Sequence, residues 1–333
     1  MHGFEHIRYK MPHMTRSKLE FPEGVSVLER GWLSSNNIVL LGPGHSAVVD
    51  SGYSSHQNLT LELIKQQLNG RPLDDLVNTH LHSDHCGGNA KLQDHYKQLQ
   101  THIPSGNSQA VTSWDIDKLT FKATGQTCPK FAHQHVLRAN TSMKLGLHEW
   151  EIHCAPGHDP DSVVLFEPIS KTLISADALW ENGFGVVFPE LEGIDAFEAV
   201  SDTLTMCEKL NAKTIIPGHG RPFTNVKAAI ERARTRLAYL SKKDGSPNHA
   251  IYAAKVLLKF HLLEHQKVEI SAAKQWLLNM PYFQKLTPML KAILSTDKEK
   301  TLDNQGEQVA DWVIGVLCTV KAARIEGNML VNQ

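Results

Sequence analysis

Residues 79–89 read Thr79-His80-Leu81-His82-Ser83-Asp84-His85-Cys86-Gly87-Gly88-Asn89, and the rest of the chain can be interpreted outward from them. The stretch places three imidazoles and a carboxylate within six positions. Neutral imidazole nitrogens and ionised carboxylates are ligands for zinc and similar divalent metals, whereas an apolar core rarely holds so many titratable groups together. The pattern therefore indicates a metal site, with a solvated histidine-rich turn as the alternative.

The flanking residues place this stretch at the end of a β-strand. Residues 76–79 have the pattern of a short buried strand, and residues 87–89 that of a turn that opens a helix. His80 and His82 are two apart in extended chain, so their side chains project to the same side. The Asp84-His85 pair follows the strand end and can face a second point nearby.

Length and composition limit the functional classes. The 333 residues allow one large domain or two, and the formal net charge of −1 gives no general argument for binding nucleic acid or an anionic membrane. The first 16 residues lack an apolar signal-like segment, and no later stretch approaches the roughly 18 apolar residues of a membrane span. We therefore expect a cytoplasmic protein. Five scattered cysteines without a C-x-x-C pair favour reduced thiols.

Strand and helix patterns alternate through the first two thirds of the chain. Residues 37–41 and 46–50 flank a Gly-Pro-Gly turn and predict a hairpin, and residues 54–68 predict a helix. Four further strands are predicted at 150–155, 162–166, 172–176 and 213–217. His158, Asp177 and His219 each lie just past one of these strands. His158 and His219 each follow a glycine, and Asp177 directly follows the strand at 172–176. Functional groups of layered α/β folds concentrate at such strand ends.

Two regions are open to more than one interpretation. Residues 91–145 show weak periodicity, so we interpret them as an insertion over the site, with a second metal cluster at His133 and His135 as an alternative. Residues 225–241 predict an amphipathic helix whose opposite face carries three arginines. This face is either solvated surface or a site for an anionic part of a substrate. The arginines are Arg232, Arg234 and Arg236.

The composition becomes helical after a linker-like turn at residues 244–248. Helices are predicted at 251–263, 271–279 and 308–320, and Gly327-Asn328 is a two-residue turn between two short strands. These patterns predict a catalytic domain at 1–243 and a small, mostly helical, winged-helix-like C-terminal domain at 244–333. The last helix lacks the basic and amide residues of a major-groove reader, so we favour packing, a lid or a homodimer interface.

Five motifs together resemble the pattern of the metallo-β-lactamase superfamily. They are Asp50, the run from His80 to His85, His158, Asp177 and His219, in that order and spacing. The resemblance covers roughly residues 28–222 and implies an α/β fold, the αββα sandwich, with metals at the sheet edge. It implies one metal held by His80, His82 and His158, a second held by Asp84, His85 and His219, and Asp177 bridging the two. It also implies that Asp50 is a buried carboxylate behind the ligands that orients them, and that Cys86 is a neighbour and not a ligand.

The implied cofactors are two divalent metal ions. Zinc is the first choice, and mixed nitrogen and oxygen ligation also admits iron or manganese. A hydroxide that bridges the two ions would attack a substrate carbonyl, with Asp84 and Asp177 as the catalytic carboxylates and without a serine or cysteine nucleophile. The resemblance thus implies a metal-dependent hydrolase.

Residues 84–89 are similar to those of glyoxalase II, so a small-molecule thioester is the first choice of substrate, followed by a lactone or another ester. A metal-dependent RNA or phosphodiester nuclease is an alternative, and the neutral charge counts against nucleic acid as a partner. A non-catalytic binding protein is a third class, which the presence of all seven ligand types disfavours. Three aromatic residues after Asp177 form either a substrate wall or part of the core: Trp180, Phe184 and Phe188.

Overall fold

Two β-sheets packed face to face form the centre of the protein in a computed structural model that describes residues 19–192, 195–242, 248–294 and 305–333. The first sheet contains, in spatial and chain order, β1 Val25–Leu28, β2 Asn37–Gly42, β3 His45–Val49, β4 Asp75–Val77, β5 Gln100–Pro104 and β6 His135–Leu137. The second sheet has the order β11-β10-β9-β8-β7 and contains β7 Thr141–Leu145, β8 His148–Cys154, β9 Val163–Glu167, β10 Thr172–Ala176 and β11 Thr214–Pro217.

Helices cover the outer faces of both sheets and form most of the C-terminal region. In chain order they are α1 Gln57–Leu68, α2 Ser83–Cys86, α3 Asn89–His95, α4 Ser108–Ser113, α5 Pro189–Glu192, α6 Ala196–Lys209, α7 Val226–Leu240, α8 Asn248–His265, α9 Ile270–Asn279, α10 Pro281–Leu294 and α11 Gln305–Thr319. A small third sheet contains β12 Lys267–Glu269, β13 Ala323–Glu326 and β14 Met329–Asn332.

Strand β2 shows how the layers arise from the sequence. Ile38 and Leu40 belong to the apolar cluster between the two sheets, whereas Val39 belongs to the cluster under α1. Because successive side chains of a strand point to opposite faces, a continuous apolar run of this kind must be covered on both sides. Helices α6 and α7 cover the second sheet in the same way. This four-layer arrangement confirms the predicted α/β sandwich.

The chain directions bring the carboxyl ends of several strands to one edge. Strands β3 and β4 are parallel in the first sheet, and β10 and β11 are parallel in the second. Asp50 follows β3 with φ 58°, and Ala176 ends β10 with φ 46°. A positive φ is unfavourable for residues other than glycine. The backbone is therefore strained at two strand ends, one directly before Asp177 and one at Asp50 itself.

The interpretation of residues 91–145 as an insertion was only partly right. Strands β5 and β6 extend the first sheet with parallel pairing, and β7 pairs antiparallel with β8 in the second sheet. These strands are short and lie toward the sheet edges, so their sequences lack a continuous apolar run. Residues 105–134 alone form an irregular segment, which packs its own apolar cluster beside α2.

Helices α8 to α11 pack around a separate apolar cluster that also contains Val186 and Phe188. The predicted hairpin around Gly327-Asn328 is confirmed by the pairing of β13 with β14, and β12 adds a third strand that the sequence did not indicate. The winged-helix arrangement remains a prediction. The domain boundary at 243/244 and residues 244–247 of the predicted linker lie outside the described residues, as do residues 1–18. In the described ranges, every helix is too short or too polar to cross a bilayer.

Candidate metal centre

The seven predicted ligands lie together at the shared edge of the two sheets. Each set of three ligand atoms below lies within 4.8 Å of one another: His80, His82 and His158; His80, His85 and Asp177; Asp84, His85 and His219. His80 and His85 are fully buried, His82 is partly exposed, and the other four are buried. The structure therefore gathers residues from four separate parts of the sequence into one cluster.

The first group is a set of three imidazoles at contact distance. His158 Nε2 lies 2.8 Å from His82 Nδ1 and 3.2 Å from His80 Nε2. The His158 Nδ1 atom donates to the Val186 carbonyl oxygen at 2.5 Å. Since that carbonyl can only accept, the proton of the His158 ring is on Nδ1, and the Nε2 lone pair faces the other two rings.

On the other side of the cluster, Asp50 and Thr79 likewise place the proton of each histidine ring on its outer nitrogen. The Thr79 hydroxyl donates to Asp50 Oδ2 at 2.8 Å, so its oxygen is free to accept from His80 Nδ1 at 3.1 Å. His85 Nδ1 also donates to Asp50 Oδ2, at 2.7 Å. The outer nitrogens of His80 and His85 thus carry protons, and their Nε2 atoms face inward. Such outer hydrogen bonds orient histidine ligands in metal sites.

The second group adds carboxylate oxygens to the imidazoles. Asp84 Oδ2 lies 3.0 Å from His219 Nε2. The two oxygens of Asp177 face both groups, with Oδ1 at 3.4 Å from His85 Nε2 and Oδ2 at 3.4 Å from His158 Nε2. This placement suits a carboxylate shared by two ions.

The electrostatics favour the protonation states that metal binding requires. Burial and the neighbouring imidazoles hold the pKa of His80 well below its ordinary value, and burial lowers the pKa of His158 to about 4. Burial alone would raise the pKa of Asp177, but the imidazoles of His219 and His85 outweigh it and hold that pKa well below its ordinary value. Near neutral pH, His80 and His158 are therefore neutral rings and Asp177 is an ionised carboxylate.

His85 behaves differently because three carboxylates surround it. Burial opposes the charged ring, yet Asp50, Asp177 and Asp84 raise its pKa well above the ordinary value. Its buried Nε2 atom has no hydrogen-bond partner among the described residues. A buried polar atom without a partner is costly, and a cation at this nitrogen would remove that cost by taking the place of the proton.

Two glycines leave room for the ligands. A Cβ atom on Gly218 would lie 2.2 Å from Asp177 Oδ1 and 2.9 Å from His85 Cε1, and one on Gly185 would lie 2.4 Å from His158 Nδ1. Only glycine allows the backbone this close to the cluster. The converging lone pairs, the unpartnered His85 nitrogen and these glycines fit divalent metal ions, with five imidazoles and two carboxylates as the donor set.

A cavity of about 400 Å³ opens over the cluster. Trp180 and Phe188 line it, as the substrate-wall interpretation predicts, whereas Phe184 is 1% exposed and belongs to the core. Each arginine of the α7 face contacts other groups of the protein. Arg232 donates to the Glu181 carbonyl, Arg234 pairs with Glu208, and the Arg236 guanidinium lies over the Phe184 and Tyr252 rings.

Several residues at the site were missed by sequence reasoning. Trp32 stacks on His219 with ring centroids 5.5 Å apart. Trp180 was predicted only as part of a substrate wall, and its Nε1 also donates to Asp177 Oδ1 at 3.1 Å. Asp159 Oδ2 lies 3.8 Å from His82 Nε2. Thr79 and Asp159 are direct neighbours of the predicted ligands, which is a usable signal. Nothing in the sequence around Trp32 indicates its position.

The alternative metal cluster at His133 and His135 does not form among the described residues. His133 Nε2 lies 2.9 Å from Ser108 Oγ, and the His135 ring stacks on His102. Cys86 lies outside the ligand groups, with its Sγ 3.7 Å from Cys128 Sγ. All five cysteines are free, as predicted.

Comparison with known proteins identifies a family. A family model described as metallo-beta-lactamase superfamily matches residues 30–219. A probable hydroxyacylglutathione hydrolase of Schizosaccharomyces pombe is 24% identical over 265 residues, which are 78% of this chain and 89% of that protein. Thioesterase pkgB of Emericella nidulans is 24% identical over 217 residues, which are 63% of this chain and 53% of that protein.

Solved structures share the fold. A metallo-beta-lactamase family protein from Thermus thermophilus superposes with a TM-score of 0.56 at 14% identity, over 93% of this chain and 99% of that one. A beta-lactamase domain protein from Burkholderia ambifaria gives a TM-score of 0.55 at 18% identity, over 95% of this chain and 93% of that one. At these identities the likeness concerns the fold alone.

Proposed function

The chain belongs to the metallo-β-lactamase superfamily and is a hydrolase, and from that premise we propose that it hydrolyses a thioester with two divalent metal ions, zinc in the first place. One observation carries the proposal. Inward-facing imidazole nitrogens and two carboxylates converge at the floor of a cavity large enough for a small molecule. Related proteins named as a hydroxyacylglutathione hydrolase and a thioesterase support the choice of a thioester.

Each ligand has a role in this proposal. His80, His82 and His158 would hold one ion, and Asp84, His85 and His219 the other. Asp177 would contact both, since its two oxygens face both groups. When bound, such ions supply Lewis acidity and make water nucleophilic near neutral pH.

The side chains around the ions control position and proton transfer. Asp84 accepts the proton of the attacking water, and the Trp180 indole keeps Asp177 Oδ1 in place through its hydrogen bond. Asp50 holds the tautomers of His85 and, through Thr79, of His80. Water adds to the thioester carbonyl, the carbon–sulfur bond breaks, and the products are a carboxylic acid and a thiol.

A thioester suits this site because its leaving group needs little help. A thiol has a pKa near 8.5 and leaves as a thiolate, so no separate general acid is required. Lactones and other esters are next in order, because an alkoxide leaves less readily. The largely apolar cavity does not offer the basic groove with stacked aromatic residues that single-stranded RNA prefers.

A substrate panel tests the proposal. Thioesters, lactones, β-lactams and short RNA are incubated with the protein with and without a chelator, beside the variants Asp177→Asn and Asp202→Asn. Asp202 is an exposed residue of α6 and serves as the matched control. We expect thioester hydrolysis that the chelator and Asp177→Asn abolish and that Asp202→Asn retains. Chelator-sensitive cleavage of RNA alone would overturn the proposal.

A further inference from the structure

The cavity over the metal centre has a second wall, supplied by one face of α8. Seven residues of this helix line the cavity; one is the buried Leu257, and the other six have the spacing of a single helical face. They are Tyr252, Lys255, Val256, Lys259, Phe260 and Leu263. The opposite face of α8 is buried in the C-terminal core through residues such as Ala254, Leu258 and Leu262. Both faces of the helix are therefore mostly apolar, although the face toward the metal centre also carries two lysines.

An apolar wall implies an apolar occupant. Apolar surface gains free energy when it is removed from water, and small-molecule sites use such walls to bind the apolar parts of their ligands. Phe188 and Leu317 line the cavity together with α8, so apolar groups surround the space beside the polar floor. A small hydroxyacyl group would leave most of this apolar wall exposed to water.

The two lysines of the wall are not equivalent. Lys259 Nζ donates to the Ala322 carbonyl at 2.9 Å, to Asn332 Oδ1 at 2.6 Å and to the Gln333 carbonyl at 2.8 Å, which ties α8 to the last strand. Lys255 has neither a hydrogen bond nor an ion pair within the described ranges, although it is partly buried. Burial also lowers its pKa. A partly desolvated ammonium without a partner is stabilised by an anion.

We propose that the substrate is an amphiphilic thioester, with an apolar acyl group that packs against the α8 face and a carboxylate or phosphate that pairs with Lys255. This inference rests on the proposed thioester hydrolysis. It differs from the substrate that the hydroxyacylglutathione hydrolase name implies, because it places a large apolar acyl group in the cavity.

The length of the substrate's acyl group tests the proposed apolar contact with α8. Acetyl, butanoyl, hexanoyl and octanoyl thioesters of the uncharged thiol N-acetylcysteamine are compared by kcat/KM. We expect a rise of roughly two- to fourfold for each added methylene until the cavity is filled. Leu263→Gln should flatten the rise, whereas Leu59→Gln on the exposed face of α1 should leave it unchanged.

Substrates that carry a carboxylate test the proposed contact with Lys255. Octanoyl esters of 3-mercaptopropionate place a carboxylate on the thiol, and ω-carboxyoctanoyl esters of N-acetylcysteamine place one at the far end of the acyl chain. We expect one of these probes to exceed its uncharged counterpart in kcat/KM, and Lys255→Met to reduce that ratio about tenfold. Lys97→Met is the control, because the exposed Lys97 side chain lies outside the cavity lining. It should keep the ratio.

The outcomes separate the two proposals. Absence of hydrolysis of every thioester by the metal-loaded protein would refute thioester hydrolysis itself. Hydrolysis with equal kcat/KM for acetyl and octanoyl esters would leave that function standing and refute the apolar acyl group. A ratio between charged and uncharged probes that Lys255→Met does not change would refute the anion contact.

Discussion

Asp50→Asn is the substitution that most specifically tests how the histidines are oriented. Asp50 accepts three hydrogen bonds: Oδ1 from the Thr79 amide at 2.9 Å, and Oδ2 from the Thr79 hydroxyl and His85 Nδ1. Asparagine has nearly the same shape and tolerates a positive φ such as the 58° at this position. The change therefore replaces one acceptor oxygen by a donor without adding backbone strain.

Either orientation of the new amide leaves a donor facing a donor. With its nitrogen at the Oδ2 position, the amide opposes the Thr79 hydroxyl and His85 Nδ1–H, and after a flip it opposes the Thr79 amide. We expect His85 to move its proton to Nε2, where the proton competes with the metal. Loss of such a supporting hydrogen bond typically lowers metal affinity 10- to 100-fold, or by about 1.4 to 2.7 kcal/mol.

The assay is competition for zinc against a chromogenic chelator, with circular dichroism to confirm folding. Thr79→Val is the matched control, since it removes the hydroxyl that orients His80 but keeps the bond from Asp50 to His85. We expect it to lower metal affinity by about tenfold or less. A folded Asp50→Asn protein with unchanged zinc affinity would refute the proposed role of Asp50.

Further predictions concern the ligand cluster and α8. Asp177→Asn should reduce kcat of the metal-loaded protein by roughly a hundredfold or more, because an amide replaces the carboxylate that faces both groups, and steady-state kinetics with an unchanged circular dichroism spectrum checks this. Gly218→Ala should weaken metal binding in the chelator competition, because its Cβ would lie 2.2 Å from Asp177 Oδ1; Gly315→Ala, in open space on α11, is the control. Burial and His265 lower the pKa of His261 to about 4. Below the ordinary pKa of 6.5 the unfolded chain therefore binds a proton at this ring, whereas the folded protein does not. The free energy of unfolding should fall as pH decreases from about 6.5 to 4. His261→Gln should reduce this slope in urea unfolding, and exposed His95→Gln should not.

The clustering of the candidate ligands could be predicted from the sequence because several of them follow a recognisable strand end. His80, Asp177 and His219 follow apolar runs that can only be buried strands, and parallel pairing brings such ends together. The residues behind the ligands carry a weaker signal. Thr79 acts through its hydroxyl, and a threonine at a strand end is common without such a role.

The features that depend on long-range packing could not be predicted. The cavity is formed between the sandwich and α8, so no local pattern specifies it. Tyr53 Oη donates to Glu264 Oε2 at 3.0 Å across a separation of 211 residues. Nothing in the sequence distinguishes Lys255 from other helical lysines, because its position in the cavity depends on how α8 packs beside the metal centre. Strands β5 to β7 were hidden for another reason, because their stability comes from pairing with neighbouring strands and not from their own apolar pattern.

The most direct test of the proposed two-metal hydrolysis is a zinc titration of the chelator-stripped protein with a thioester substrate. His80 and His85 each belong to two of the three ligand groups, and Asp177 belongs to the group between the other two, which is an arrangement that suits a paired site. We predict that the stripped protein is inactive and that the rate rises until about two equivalents of zinc per chain are bound. Full activity of the metal-free protein, or a plateau at one equivalent, would contradict the account.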